Sequence, residues 1–201
     1  MTDRTYTTPQ GRGTRERIIE VAIRVFASQG FRGVPLDVIA AEAGVSRQGI
    51  LYHFESKAEL LLAVLEQHEQ DNAERFAELL EVHDHALVPT MRAYMRAAVE
   101  NRGLIRMLLV LAAEAMDSDH PGHAFFVERY RKTRADVEGW VAQGQEAGRL
   151  STAMSAKKFA AVVVALADGL QLQEYLDEGS VDLEETIIEL LELMQTAPPG
   201  A

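Results

Sequence analysis

The stretch IAAEAGVSRQGILYHFESKAELL, residues 39–61, concentrates side chains suited to recognition by hydrogen bonding. Arg47 offers a planar fork of N–H donors that matches guanine edges, and Gln48 a carboxamide that matches adenine or a phosphate oxygen. Tyr52, His53 and Lys57 lie further along, where a nucleic-acid backbone would pass. Ser46 stands where an N-cap belongs, so the helix behind it offers N–H donors and partial positive charge to a phosphate. Ser46, Arg47, Gln48 and Gly49 are not chosen to strengthen a helix, which points to one built to enter a groove by its N-terminal end. Catalysis finds little support. There is no Glu-x-x-His pair, no glycine-rich phosphate loop and no nucleophile elbow. With no cysteine, disulfides and thiolate chemistry are also closed to the chain. Neither enzymatic activity nor a cofactor is expected.

Positioning that helix requires others. Apolar residues recur at intervals of three and four, and no alternating run of strand length stands out, so the fold class reads as all-α. A first helix is expected over 14–29, capped by Thr14, stopped by Gly30 and burying Ile18, Ala22, Val25 and Phe26. A second, over 35–42, carries Pro35 in its first turn, where the missing N–H is harmless. Gly44 can take the positive φ of a tight turn, and Ala40 is small where two helices cross. A third helix over 47–54 turns Ile50 and Phe54 inward, with Val45 before them. Arg47, Gln48, Leu51 and Tyr52 share the opposite face, and Gly49 keeps the surface low beside them. A fourth helix follows Ser56 and runs to about 81. Five more are expected near 89–102, 104–116, 121–147, 156–177 and 183–195, with a frayed tail over 196–201.

The chain of 201 residues, 47% hydrophobic and 25% charged, can bury a core and is not a disordered sequence. Its charge is uneven. Residues 1–60 hold eight Lys/Arg and seven Asp/Glu, a net of +1, whereas the remainder holds 12 and 24, a net of −12. One end can approach a polyanion and the other is repelled by it. No secretory signal is expected at the N-terminus, and no stretch is expected to span a membrane, because the most apolar, FAAVVVALADGL, is interrupted by Asp168. A cytoplasmic location follows as an expectation.

Residues 14–61 resemble the N-terminal region of the tetracycline-repressor (TetR) family of one-component transcriptional regulators, with YHF, SK and the final Leu pair in register. The resemblance implies a helix-turn-helix domain over 1–56, including an N-terminal arm, and a larger helical ligand-binding and dimerisation domain over 57–201. The residues expected to face DNA are Arg15, Pro35, Leu36, Ser46, Arg47, Gln48, Gly49, Leu51, Tyr52, His53 and Lys57. Two positions depart from the family's habit. Val34 stands where a phosphate-binding Thr is usual, and Leu51 stands where an aromatic is frequent, trading a hydroxyl for a possible thymine-methyl contact. Helix-turn-helix units also occur in proteins that bind no DNA. The rival readings are a helical enzyme or ligand carrier with a vestigial helix-turn-helix, and a regulator controlled by a protein partner.

The C-terminal stretches LAAEAMDSDHPGHAFFVERYRKTRADVEGWVAQGQEAGRL and ALADGLQLQ resemble the betaine-regulator type of C-terminal region. Two helices there look made for a homodimer. Phe159, Val162, Val163, Val164, Leu166 and Leu170 cover most of one helix's circumference, and a helix apolar nearly all round needs cover on two sides. The interface is expected to use Phe159, Val163, Leu166, Leu170, Ile187, Leu190, Leu191 and Met194. A small organic effector is expected among Met91, Tyr94, Met95, Met107, Leu111, Glu114, Met116, Phe126, Tyr130, Trp140 and Asp168, since Met and aromatic side chains adapt to apolar ligands and also simply fill cores. Asp117, Asp119, His120 and His123, and the pair His83 and His85, are spaced too loosely for a metal site, so no metal is expected.

Overall fold

The computed structural model describes residues 9–84, 86–100 and 102–195. The expected N-terminal arm before Pro9, His85 and the tail from residue 196 lie outside them. The described residues form helices α1 (Pro9–Gln29), α2 (Leu36–Glu42), α3 (Arg47–His53), α4 (Lys57–Val82), α5 (Leu87–Glu100), α6 (Arg102–Glu114), α7 (His123–Glu146), α8 (Ala156–Leu176) and α9 (Leu183–Leu193). Among these residues the only β pairing is an isolated bridge between Leu150 and Gln195. The all-α expectation holds, with shifts at the ends. α1 runs through Thr14 from Pro9, and α5 starts two residues before Pro89. Each proline then sits in a first turn, where no intrahelical N–H is missed. α3 stops at His53 because Phe54 turns extended, with φ −139° and ψ 118°.

The chain folds as two compact units. The first takes the described residues up to Asp71 together with Gly103–Phe125, and the second takes Asn72–Arg102 together with residues from Phe126 onward. The division falls inside α4, so the boundary expected after residue 56 lies within the first unit. In that unit α2 packs on both α1 and α3. Ile18, Ala22 and Phe26 of α1, Ile39 of α2, Ile50 of α3 and Leu60, Leu61, Val64 and Leu65 of α4 are fully buried. Burial of this size drives the assembly, at about 1.5–3 kcal/mol for each large side chain.

In the second unit α9 packs on α5 and α8. Its core comprises Met95, Val141, Phe159, Val163, Leu170, Leu183, Ile187, Ile188 and Leu191. Asp182 caps α9 by accepting the Glu185 N–H at 2.8 Å. Arg92 and Arg96 of α5 both bond Glu184 in the first turn of α9, at 3.1 and 2.9 Å. α8 is long and apolar enough, by length and composition, to cross a membrane, and it is the only such helix among the described residues. That differs from the expectation, which ended the apolar stretch at Asp168.

Candidate nucleic-acid interface

α2 ends in a turn that its own backbone closes. Val45 donates to the Ala40 carbonyl at 3.0 Å and Gly44 to the Ala41 carbonyl at 3.2 Å. This pairing needs a left-handed residue after the helix, and Gly44 supplies it with φ +66°. Arg17 Nε of α1 reaches the Ala43 carbonyl at 2.9 Å. Ser46 then opens α3 by accepting the Gly49 N–H at 3.0 Å. A Cβ on Gly49 would stand 3.3 Å from Val45 Cβ, tighter than ordinary contact. The glycine thus lets the first turn of α3 sit close against the turn before it.

The outward face of α3 is the one expected. Arg47, Gln48 and Tyr52 are exposed and Leu51 is half-buried, while Ile50 and the following Phe54 are buried. Tyr52 is 64% exposed, a large aromatic surface left to water. The Arg47 guanidinium lies 3.3 Å from Asp37 of α2.

Three of the residues expected to face DNA have side chains engaged within the fold. His53 is buried, with its ring edge-on to Tyr52 at 5.2 Å. Burial and the nearby Arg15 charge push its pKa down, which favours the neutral ring beside Tyr52. The Leu36 side chain is buried, so any contact there rests with the main chain. Lys57 does not point freely outward. Its ammonium donates to the carbonyls of Phe31 at 2.8 Å and Val34 at 2.9 Å and lies over the Phe31 ring at 4.3 Å. Two of its three N–H groups are therefore occupied. Arg15 stacks its guanidinium over Phe54 at 5.2 Å, and Pro35 is the N-cap of α2 without a side-chain bond. The Val34 side chain is buried, consistent with its being no phosphate cap.

Elsewhere in the first unit, the end of α6 clamps the α1–α2 loop. The Glu114 carboxylate accepts the Phe31 N–H at 2.6 Å and lies in the space that a side chain at Gly30 would fill. Gly30 itself has φ +70°. Asp117 pairs with Arg32, which holds the carboxyl below its ordinary range. The His120 ring packs edge-on to Phe31 at 5.1 Å. Its Nδ1 accepts the Gly122 N–H at 3.1 Å, which leaves the neutral ring's proton on Nε2, 3.7 Å from Glu114. No sequence pattern links these groups, because Phe31 and Glu114 are 83 positions apart.

Glu114, expected at an effector site, is thus engaged by the α1–α2 loop. Met107 and Leu111 are fully buried and Met116 is 81% exposed. These four belong to the first unit, and the other seven candidates to the second. There Met95 is core and Met91 packs on it. Phe126 is buried. Tyr94 donates to Asn72 at 2.9 Å and meets the Phe76 ring edge-on at 5.3 Å, while Trp140 stacks on Phe76 at 5.0 Å. In the sequence Phe76 carries no signal for this cluster, because it sits among charged residues of α4. Tyr130 lies near Asp168. Burial, and after it the neighbouring Asp168, push the phenol up to about 12, and burial raises the Asp168 carboxyl. Asp168 is therefore an acid held half-buried on an apolar helix, beside Tyr130.

The residues expected at a dimer interface divide between core and its margin. Phe159, Val163, Leu170, Ile187 and Leu191 form the protomer's own core, and Leu166, Leu190 and Met194 pack against it. The large apolar residues of α8 and α9 left exposed are Val162, Leu172, Leu176 and Leu193. Only 22% of the most apolar window of α8 is buried. Among the described residues no three potential ligands gather around a metal position. His120 and Asp117 serve the clamp, and His123 Nδ1 is bonded to the Ala115 carbonyl at 2.8 Å.

Two family models match the chain. "Bacterial regulatory proteins, tetR family" covers residues 18–64, and "BetI-type transcriptional repressor, C-terminal" covers residues 83–193. The HTH-type transcriptional repressor SCO4008 of Streptomyces coelicolor is 31% identical over 156 residues, 77% of each chain. The HTH-type transcriptional activator FasR of Mycolicibacterium smegmatis is 30% identical over 133 residues, 66% of this chain and 54% of that protein. The regulator TtgW of Pseudomonas putida is 46% identical over 59 residues, 29% of this chain and 44% of that protein. Several relatives, FasR and TtgW included, are thus matched over about half their length or less. Among solved structures, a transcriptional regulator from Saccharomonospora viridis in complex with choline superposes with a TM-score of 0.79 at 22% identity, covering 92% of this chain and all of that one. A regulator from Agrobacterium tumefaciens gives 0.79 at 19% identity over the same shares.

Proposed function

The chain belongs to the tetR family of bacterial regulatory proteins, and from that premise we propose that it is a cytoplasmic repressor that binds a palindromic operator as a homodimer and is released by a small organic effector. The observation that carries the DNA reading is the split surface of α3. Ile50 is fully buried, whereas Arg47, Gln48 and Tyr52 stand exposed beside a capped N-terminus. That arrangement suits direct readout in a major groove, with Arg47 at guanine edges and Tyr52 at the backbone. The operator-binding part is the helix-turn-helix segment, and effector binding and dimerisation belong to the rest. Two such segments must sit one helical turn apart on the duplex, about 34–36 Å. An effector that binds better to a state with another spacing lowers operator affinity, tenfold for each 1.4 kcal/mol or so of difference.

The dimer rests on the outer face of α8, where Val162, Leu172 and Leu176 stay exposed in one protomer. A patch of that kind on a helix this apolar is a surface for a second copy. The sign of regulation follows SCO4008, a named repressor aligned over most of both chains, in preference to the activator FasR. For the effector, the half-buried Asp168 on an otherwise apolar helix favours an amphipathic organic cation over an anion or a nucleotide. The choline bound to the Saccharomonospora viridis regulator supports the same class.

Selection of duplexes from a randomised pool by the full chain, with retention measured by anisotropy at moderate salt, tests the function. A half-site palindrome bound by two chains is expected. A wild type that retains no sequence over random duplex would favour a helical enzyme or carrier instead. Thermal shift against choline, lipophilic amines, lipophilic acids and divalent metals tests the effector class. Stabilisation by amines that is lost in Asp168→Asn is expected, and stabilisation by acids or metals alone would overturn that part.

A further inference from the structure

Asp37 sits in the first turn of α2 and has no part in the reading set, yet its carboxylate is the ion-pair partner of Arg47, with Oδ2 3.3 Å from Nη1. Arg47 opens α3, and a cation in a first turn is poorly placed for the helix dipole. The carboxylate opposite offsets that. It also takes one corner of the guanidinium. An arginine has five N–H groups in a fixed plane, so engaging Nη1 leaves the edge formed by Nη2 and Nε for a second partner. Two parallel donors on one edge are what guanine O6 and N7 accept. Both side chains are more than half exposed, so the pair is solvent-screened and adds little to stability. Its value lies in geometry and charge at the surface that would meet DNA.

We propose that Asp37 is a specificity-determining positioning residue: it holds Arg47 with one donor edge open for a guanine and sets a negative charge against use of the same arginine on any phosphate. The inference rests on the reading of α3 as the groove-entering helix. A phosphate carries charge and no sequence, so an unrestrained Arg47 would bind it on every duplex. With Asp37 beside it, a phosphate at Arg47 is opposed by the carboxylate, whereas the neutral edge of a guanine is not.

The test uses the full chain and four proteins: wild type, Asp37→Asn, Arg47→Ala and the double variant. Each is titrated over a salt series against the best duplex selected by the wild type and against a scrambled duplex of equal composition. Asparagine keeps size and one acceptor oxygen but removes the charge. For Asp37→Asn, tighter binding to scrambled DNA is expected, with a salt slope steeper by up to about one unit. The ratio of selected to scrambled affinity is expected to fall about tenfold, within the roughly 5- to 150-fold that one bidentate base contact discriminates. In the Arg47→Ala background the same substitution should leave the ratio unchanged, because there is nothing left to position. An Asp37→Asn that changes both duplexes equally, in either direction, or neither, overturns the proposal. So does a ratio that falls equally with and without Arg47. Thermal melts of all four separate these outcomes from loss of α2. A wild type that selects no duplex, or an Arg47→Ala whose ratio matches wild type, shows instead that the underlying reading of α3 has failed.

Discussion

Substituting Gly30 with alanine tests whether the clamp at the end of α6 holds the α1–α2 loop. Gly30 has φ +70°, which an L-residue adopts at a cost of about 1–2 kcal/mol. Its new Cβ would also fall 2.9 Å from Glu114 Cδ. The carboxylate ends a flexible chain and can swing away, so the collision itself costs little. What it cannot keep is the bond from the Phe31 N–H. A hydrogen bond to a charged acceptor is worth about 1.5–3 kcal/mol, so Gly30→Ala should destabilise by about 2.5–5 kcal/mol in all. Gly44→Ala is the internal control. Its φ is +66°, but a Cβ there meets nothing within 4 Å, so only the backbone share of about 1–2 kcal/mol applies. Glu114→Ala removes the bond first, and Gly30→Ala in that background should then cost only the backbone share. Urea denaturation followed by circular dichroism gives the four values and the coupling between positions 30 and 114, expected at about 1.5–3 kcal/mol. Equal losses for Gly30→Ala and Gly44→Ala, or strict additivity with Glu114→Ala, would refute the clamp.

Leu172→Glu and Leu176→Glu, on the exposed face of α8, should dissociate the dimer at low micromolar concentration while the protomer melts at nearly the wild-type temperature. Ile187→Glu, inside the protomer core, should unfold it; sedimentation with thermal melts distinguishes the two. Lys57→Met should lower the melting temperature and change the salt slope on DNA by well under one unit, because its ammonium is bonded to two carbonyls. An unchanged melt with a slope lower by a full unit would show that it acts on phosphate after all. His53 and His120 both have pKa values pushed below 6.5, mainly by burial. The folded state therefore resists protonation, and their contribution to stability is complete above pH 6.5 and declines as pH falls below it, by at most about 1.4 kcal/mol per pH unit for each. His120→Asn, which keeps an acceptor for the Gly122 N–H, should flatten its share of that decline; an unchanged pH profile would count against the assignment.

The sequence by itself determined the helices and the outward face of α3. These depend on short-range chemistry: the Ser46 cap reaches three residues, the Gly44 turn closes over five, and a buried stripe repeats within one turn. It also identified α8 and α9 as too apolar for a solitary surface, but not which of their residues face inward. A helix apolar on nearly every side carries no phase. Phe159, Val163, Ile187 and Leu191 became protomer core, and Val162, Leu172 and Leu176 the outer face, only once α5 and α9 had packed. Tertiary structure likewise decided the polar side chains. Glu114 could equally have faced a ligand, and Lys57 a phosphate, because a lone charge in a sequence names no partner. Their partners, the Phe31 N–H and the carbonyls of Phe31 and Val34, are backbone groups in a loop tens of residues away. Backbone groups are alike at every position, so only the folded chain singles out the ones that must be satisfied.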